Sequence, residues 1–469
     1  MTTDEFRTLG HTLIDFIAEY RDQIETLPVL SSLKPGEVSA QFAVSAPERG
    51  DHLEGLVGDL EKLKPALMNF QHPRFFGYFP ANSSLEGVLG DLVSSGLGQL
   101  GLSWQSSPLL TELEEVTTDW MRQALGLSSA WQGVIQDTAS STSMLALICA
   151  REKITNYCLN RDGLQGENKP LIVYVSSQAH SSIEKAALLA GFGRENLRTV
   201  AVDQHFAMIP DALEKAIQTD LELGNLPCAI VASIGTTTST AFDPLEPISS
   251  IASNYGMWLH VDAAMAGSAM IVPECRVLWQ GVEGADSIVL NPHKWLGATF
   301  DCSLYYVRDS QHLVRVMSTN PSYLQTSQDG QAKNYRDWGI PLGRRARAFK
   351  LWFLLRSVGL EGLRARLRRD MANAQWLANQ IDTTPNWVRL APVPLQTVCV
   401  RHEPAGLSEA ELEQHTLAWV ERINTSGFAY LTPAKLEGRW MVRVSIGAIP
   451  TELEHVQALW ERIKLEVEN

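Results

Sequence analysis

The chain reads as an α/β protein with a mostly parallel sheet covered on both faces, and its middle third carries the signal. Apolar runs at 171–175, 197–202, 228–234, 257–261, 287–290 and 303–307 have the length and composition of strands. Helical patterns at 182–191, 210–222 and 244–254 separate them. Strand alternating with helix is what a parallel sheet with crossover helices requires. The α/β region is expected over 81–360. Asp243-Pro244 is expected to supply the N-cap and first residue of the helix that follows.

Residues 1–80 read as helices with loops, including the Pro/Gly/Ser-containing stretch from Leu30 to Ser45. The first helix is amphipathic (Phe6, Leu9, Leu13, Phe16, Ile17, Tyr20) and opens on a Thr2-x-x-Glu5 capping box, which suggests a docking helix. Residues 361–469 mix helix and strand as a small α+β domain, with Trp440 to Ser445 as a strand.

Composition narrows the class. The 469 residues are enough for a large core, and the apolar and charged fractions are those of a globular protein. No apolar run reaches the roughly 18 residues of a membrane span. The acidic, amphipathic N-terminus argues against a secretory signal. Six cysteines without a C-x-x-C pair suit reduced thiols and a cytoplasmic location. No metal-ligand cluster is visible. A net charge of −14 argues against nucleic acid as a partner. The basic runs Arg344 to Arg347 and Arg364 to Arg369 do not reverse that, since the second reads as a solvated helix face.

Three motifs carry chemistry. Asn291-Pro292-His293-Lys294-Trp295 follows the strand-like Ser287 to Leu290. A lysine at a strand end is a candidate Schiff-base former, because burial lowers its pKa and frees the amine as a nucleophile. Upstream, the run Met257 to Val261 ends in Asp262-Ala263-Ala264. In pyridoxal phosphate (PLP) enzymes such a carboxylate pairs with the pyridinium nitrogen, and small residues beside it let a flat ring approach. The third motif, Gly133 to Thr142, runs through Thr138, Ala139 and Ser140 into an apolar helical stretch. A helix start rich in hydroxyls attracts a phosphate dianion.

On these motifs, and on further stretches in the same order, the chain resembles the group II PLP-dependent amino-acid decarboxylases, and within them the aromatic-L-amino-acid (dopa) decarboxylases. The stretches are Glu5 to Arg7, His72 to Pro80, Ser103-Trp104, Thr111 to Glu114, Gln178 to Ser182, Gly235 to Thr238 and Trp338 to Arg345. The resemblance implies an aspartate-aminotransferase-like fold. Its mostly parallel seven-stranded large domain (81–360) would follow a helical dimerisation segment (1–80) and precede a small α+β domain (361–469). It implies PLP bound by Lys294, Asp262 on the ring nitrogen, and His180 stacked opposite Ala264. Thr236 would lie near the ring hydroxyl, with Thr138, Ala139, Ser140, Asn291 and His293 at or beside the phosphate.

The same resemblance implies decarboxylation of an aromatic L-amino acid (dopa, tyrosine, tryptophan or 5-hydroxytryptophan) by a homodimer with active sites at the subunit interface. The catalytic set would be Lys294, Asp262, His180 and Tyr323, the last on the polar segment Thr319 to Gly330, which reads as a lid. Related aldehyde synthases carry phenylalanine at that place, so Tyr323 favours simple decarboxylation. Phe70, Tyr78, Phe79, Pro80, Leu100, Leu102, His180, Leu342 and Gly343 would form an apolar substrate pocket. Phe70, Leu102 and Ala81 depart from the tryptophan, phenylalanine and threonine usual in animal members. An aldehyde synthase, a transaminase on the same fold and a catalytically silent PLP-binding protein are the rival readings.

Overall fold

A computed structural model describes residues 1–50, 53–166 and 169–468. It resolves into two compact units. The larger comprises 81–374 and 391–399, and the smaller comprises 1–80, 375–390 and 400–469. Residues 1–80 thus share a unit with most of the C-terminal region, while 361–374 belong to the larger one.

In the larger unit, β1 (Gln132–Gln136), β2 (Leu171–Ser176), β3 (Leu197–Val200), β4 (Leu226–Ser233), β5 (Trp258–Asp262), β6 (Ser287–Leu290) and β7 (Ser303–Val307) form one sheet. The order is β1-β7-β6-β5-β4-β2-β3. β2 is parallel to β3 and β4, β4 to β5, and β5 to β6. β7 is antiparallel to β6 and β1. Every residue of β2, β5, β6 and β7 is buried, as a sheet covered on both faces demands. Helix Ala139–Ile154 packs Leu145, Leu147, Cys149 and Ala150 into a core with Val173, Val175, Val231 and Val307. β1 was read in the sequence only as the lead-in to the hydroxyl-rich segment. Its pairing with β7 sets that segment at the sheet's rim.

Two sequence readings are corrected. The helix after β4 runs Leu245–Asn254 with Pro244 as N-cap. Asp243 does not cap it. Its buried carboxylate instead accepts the backbone N–H groups of Ser233 and Met208, both at 2.7 Å, and burial lifts its pKa to about 6. The run Arg364 to Arg369 is not a solvated face either. Arg364 donates to the Ile271 carbonyl at 2.7 Å, and Arg366 turns inward to backbone carbonyls. Only Arg368 meets its partner, Glu274, in solvent.

The smaller unit opens with helix Thr3–Asp22, whose Thr2/Glu5 capping box forms as expected. None of its residues is buried within this chain. β8 (Trp387–Arg389), β9 (Thr397–His402, of which 400–402 belong to this unit), β10 (Thr432–Leu436) and β11 (Arg439–Ser445) form a second sheet in the order β10-β11-β9-β8. Trp387 packs its ring 5.0 Å from Trp460 and 6.2 Å from Trp419. Among the described residues, no helix is long and apolar enough to cross a membrane.

Candidate active site

The expected cofactor residues converge at one rim of the large sheet. Lys294 sits in a tight turn, Pro292–Leu296, entered directly from β6. Its own backbone leaves helical geometry (φ −92°, ψ −110°), and Gly297 closes the turn at φ +97°, a left-handed conformation that glycine adopts without steric cost. The turn is held from several directions. Lys294 N–H donates to the Asn291 carbonyl at 2.9 Å, and Asn82 Nδ2 donates to the Lys294 carbonyl at 3.2 Å. Trp295, fully buried, donates its indole N–H to Asp370 at 2.9 Å. Arg366 donates to the Trp295 and Leu296 carbonyls at 2.6 and 2.7 Å. Burial lowers the Arg366 pKa to about 10 and raises that of Asp370 to about 6.

Asp262 ends β5, the strand beside β6. It is buried, and one carboxylate oxygen accepts the Ala264 N–H at 3.1 Å. Asn291 N–H donates to the Ala264 carbonyl at 2.9 Å, which ties the aspartate segment to the lysine segment. His180 caps helix Ser181–Leu189 after β2, and its Nδ1 accepts the Ser182 N–H at 3.1 Å. Its pKa is lowered, first by desolvation. The Asp262 carboxylate opposes that shift and the Lys294 ammonium adds to it. An imidazole, a carboxylate and an amine from three different segments therefore share one electrostatic neighbourhood.

Thr138 caps helix Ala139–Ile154 without accepting a backbone N–H from its first turn, its hydroxyl lying 3.4 Å from Ser141 Oγ, and Ser140 is exposed at the helix start. Thr236 is buried on a loop where its hydroxyl lies 2.9 Å from Ser239 Oγ and accepts the Ala241 N–H at 3.0 Å. His293 Nδ1 lies against the Cys302 backbone, 3.0 Å from its N–H and 2.6 Å from its carbonyl. Burial lowers its pKa to about 4, so the ring is neutral at pH 7. Asn291 carries a buried side-chain oxygen with no partner among the described residues.

The expected substrate residues are not gathered in this way. Phe70, Tyr78, Phe79 and Pro80 lie in the smaller unit. There Phe70 packs 4.9 Å from Phe75, Tyr78 shares a 3.0 Å hydroxyl contact with Tyr430, and the Arg443 guanidinium lies 4.8 Å from the Phe79 ring. In the larger unit, Gly343 faces Leu100, and Leu100 and Leu342 are exposed. Leu102 is half-buried and accepts the Arg336 N–H at 3.3 Å. Tyr323 is 80% exposed on its loop.

Sequence reasoning missed Asn82, Asp370 and Arg366, which secure the lysine turn from distant segments. Nothing local marks them. The Trp338 to Arg345 stretch proves structural in part. Buried Arg344 makes two bonds to buried Glu114, at 3.0 and 2.7 Å, and a third to the Ile135 carbonyl.

The fold and the amine–carboxylate–imidazole rim define an enzyme of the PLP-dependent class. The sites fit the cofactor chemically: an amine for the aldehyde, a buried carboxylate for the ring nitrogen, a hydroxyl-rich helix start for the phosphate and an uncommitted amide oxygen on Asn291. Comparison with known proteins places the chain further. A family model described as the pyridoxal-dependent decarboxylase conserved domain matches residues 35–403, and the chain belongs to that family of PLP-dependent carboxy-lyases. A phenylacetaldehyde synthase of Arabidopsis thaliana is 39% identical, over 99% of this chain and 96% of its own. A tyrosine decarboxylase of Papaver somniferum is 37% identical, over 98% and 94%. The solved structure of Oryza sativa TDC with PLP and tryptamine superposes with a TM-score of 0.96 at 33% identity, covering 100% of this chain and 98% of that one.

Proposed function

We propose that the protein decarboxylates an aromatic L-amino acid to the corresponding amine. The observation that carries this reading is the rim itself, where Lys294, Asp262 and His180 converge beside a hydroxyl-rich helix start. It is joined by a tyrosine at position 323 on an exposed loop.

Bound PLP supplies an electron sink for the pair released when the Cα–carboxylate bond breaks. Asp262 would hold a proton at the ring nitrogen, so that the sink stays cationic. Lys294 would provide the amine that anchors the cofactor aldehyde. His180 and Ala264 would flank the cofactor ring. Thr138, Ala139, Ser140, Asn291 and His293 would hold or border the phosphate, and Thr236 would border the ring hydroxyl. Tyr323 Oη delivers a proton to Cα after CO₂ leaves, as a general acid. Without that proton, oxygen competes for the electron-rich carbon, which is the route to an aldehyde.

The family resemblance assigns Phe70, Tyr78, Phe79, Pro80, Leu100, Leu102, Leu342 and Gly343 to an apolar wall that suits a phenyl, catechol or indole ring, dopa included. Closing that wall calls for a homodimer with residues 1–80 as its docking segment. In support, Leu85, Leu89 and Leu92 leave an apolar stripe on helix Leu85–Gly96 about half exposed. Six free thiols, five of them buried, suit a reducing cytoplasm.

Product analysis tests the reading. PLP-loaded protein receives an equimolar mix of dopa, tyrosine, tryptophan, 5-hydroxytryptophan, phenylalanine and glutamate. Amines from the aromatic members alone are expected. Keto acids or glutamate-derived amine would overturn the assignment of reaction or pocket.

A further inference from the structure

His260 lies two residues before Asp262 on β5, so both side chains leave the same face of the strand. It is fully buried and makes two side-chain bonds to other segments. Its Nδ1 is 2.9 Å from Ser287 Oγ on β6, and its Nε2 is 3.3 Å from Ser143 Oγ on helix Ala139–Ile154. Both serines are fully buried as well. Trp258, also buried, donates its indole N–H to Ser287 Oγ at 2.9 Å. Ser287 thus joins Trp258 to His260 Nδ1, and His260 Nε2 joins the strand to Ser143. Burial lowers the His260 pKa to about 4, so the ring stays neutral at pH 7.

Ser143 stands one turn inside the helix whose start carries Thr138, Ala139 and Ser140. The network therefore ties the helix expected to hold a phosphate to the strand bearing the carboxylate expected to hold a ring nitrogen. In the cofactor those two ends are separated by a fixed covalent frame. We propose that His260, through Ser143, is a positioning residue that sets the spacing between the phosphate-binding helix and Asp262. The proposal rests on the assignment of Thr138 to Ser140 to the phosphate. It concerns a residue that touches neither substrate nor cofactor.

The experiment compares dissociation constants of PLP and of pyridoxal, which lacks only the phosphate, for the full-length apo-protein. Wild type and the variants Ser143→Ala, His260→Leu, His260→Gln and Thr138→Val are titrated. If the spacing is set by His260, Ser143→Ala and His260→Leu lower the pyridoxal-to-PLP ratio of dissociation constants about fivefold to tenfold. His260→Gln, which keeps a hydrogen-bonding amide near the Nε2 position, recovers most of the ratio. Ratios within twofold of wild type for Ser143→Ala and His260→Leu, while Thr138→Val lowers its own, would overturn the positioning role alone. Equal weakening of both ligands would do the same, because it marks general destabilisation. If Thr138→Val also leaves the ratio unchanged, the phosphate assignment falls and takes the proposal with it. Should His260→Leu fail to fold, Ser143→Ala, which loses a single hydroxyl, decides the matter.

Discussion

The sheet rim that carries Lys294 and the wall expected to meet substrate differ in how far one chain can build them. At the rim, the segments that carry the expected cofactor residues are held by neighbours in the same unit: the Lys294 backbone by Asn82 and Asn291, the Trp295 indole by Asp370 and its carbonyl by Arg366, the Asp262 carboxylate by the Ala264 N–H. Of the residues expected at the wall, Tyr78, Leu100 and Leu342 stand exposed, and so does Tyr323 on its loop. Cofactor chemistry needs sub-ångström placement, which residues on strands and helices supply better than residues on loops. Ring recognition tolerates slack, since a methylene-scale contact changes preference by only about 1–3 kcal/mol.

The sharpest break in this contrast is Lys294→Ala. Removing the amine is expected to lower amine formation by on the order of 10³-fold or more and to abolish lysine-bound PLP absorbance, while the fold persists. Retained lysine-type absorbance would place the Schiff base elsewhere.

Rigidity behind the rim is tested by Glu114→Ala. It leaves the buried Arg344 guanidinium without its carboxylate, a loss expected to cost about 3–5 kcal/mol in chemical denaturation. An unchanged midpoint would show that the pair does not brace β1.

Acid separates the two units. Burial lowers His72 and His402 in the smaller unit, and His260 and His293 in the larger, to about 4. As pH falls from 6.5 toward 4 the unfolded chain takes up protons that these rings refuse, so their stabilisation is complete above 6.5 and lost through that window. For fully buried His260 the loss amounts to roughly 3 kcal/mol. Asp243 and Asp370, raised to about 6, work the other way, because the folded state binds their protons first as pH drops. Both lie in the larger unit. Hydrogen exchange at pH 7 and pH 5 is accordingly expected to show amides of the smaller unit losing protection first. The reverse order would contradict the balance.

The smallest effect belongs to the wall. A Cβ at Gly343 would stand 3.2 Å from Leu100 Cδ1, so Gly343→Ala narrows the apolar ledge. Indole-containing substrates are expected to lose up to about tenfold in kcat/KM relative to tyrosine. Unaltered relative rates would remove Gly343 from the pocket.

Much of the rim was legible in the sequence because its chemistry is local. Lys294 and Asp262 each follow a continuous apolar run, and both runs form buried strands. The supports were not legible. Arg366 sits in a run indistinguishable from a solvated helix face until the fold turns it toward Trp295 and Leu296. Asp243 has the sequence of a helix cap, yet its carboxylate serves Ser233 and Met208, the latter on a segment 35 residues away. His260 looks like one more residue of an apolar strand, and only the packing of helix Ala139–Ile154 gives its second nitrogen a partner. Long-range hydrogen bonds leave no periodic trace.

The measurement that tests the central claim most directly is product analysis of Tyr323→Phe beside wild type, with CO₂, amine, aldehyde, ammonia and peroxide quantified together. If the sheet rim breaks the carboxylate bond and the exposed loop only decides the proton's fate, the variant still releases CO₂. Its product then shifts from amine to aldehyde, with one O₂ and one water consumed and one ammonia and one peroxide formed. Undiminished amine formation with no aldehyde would contradict the account.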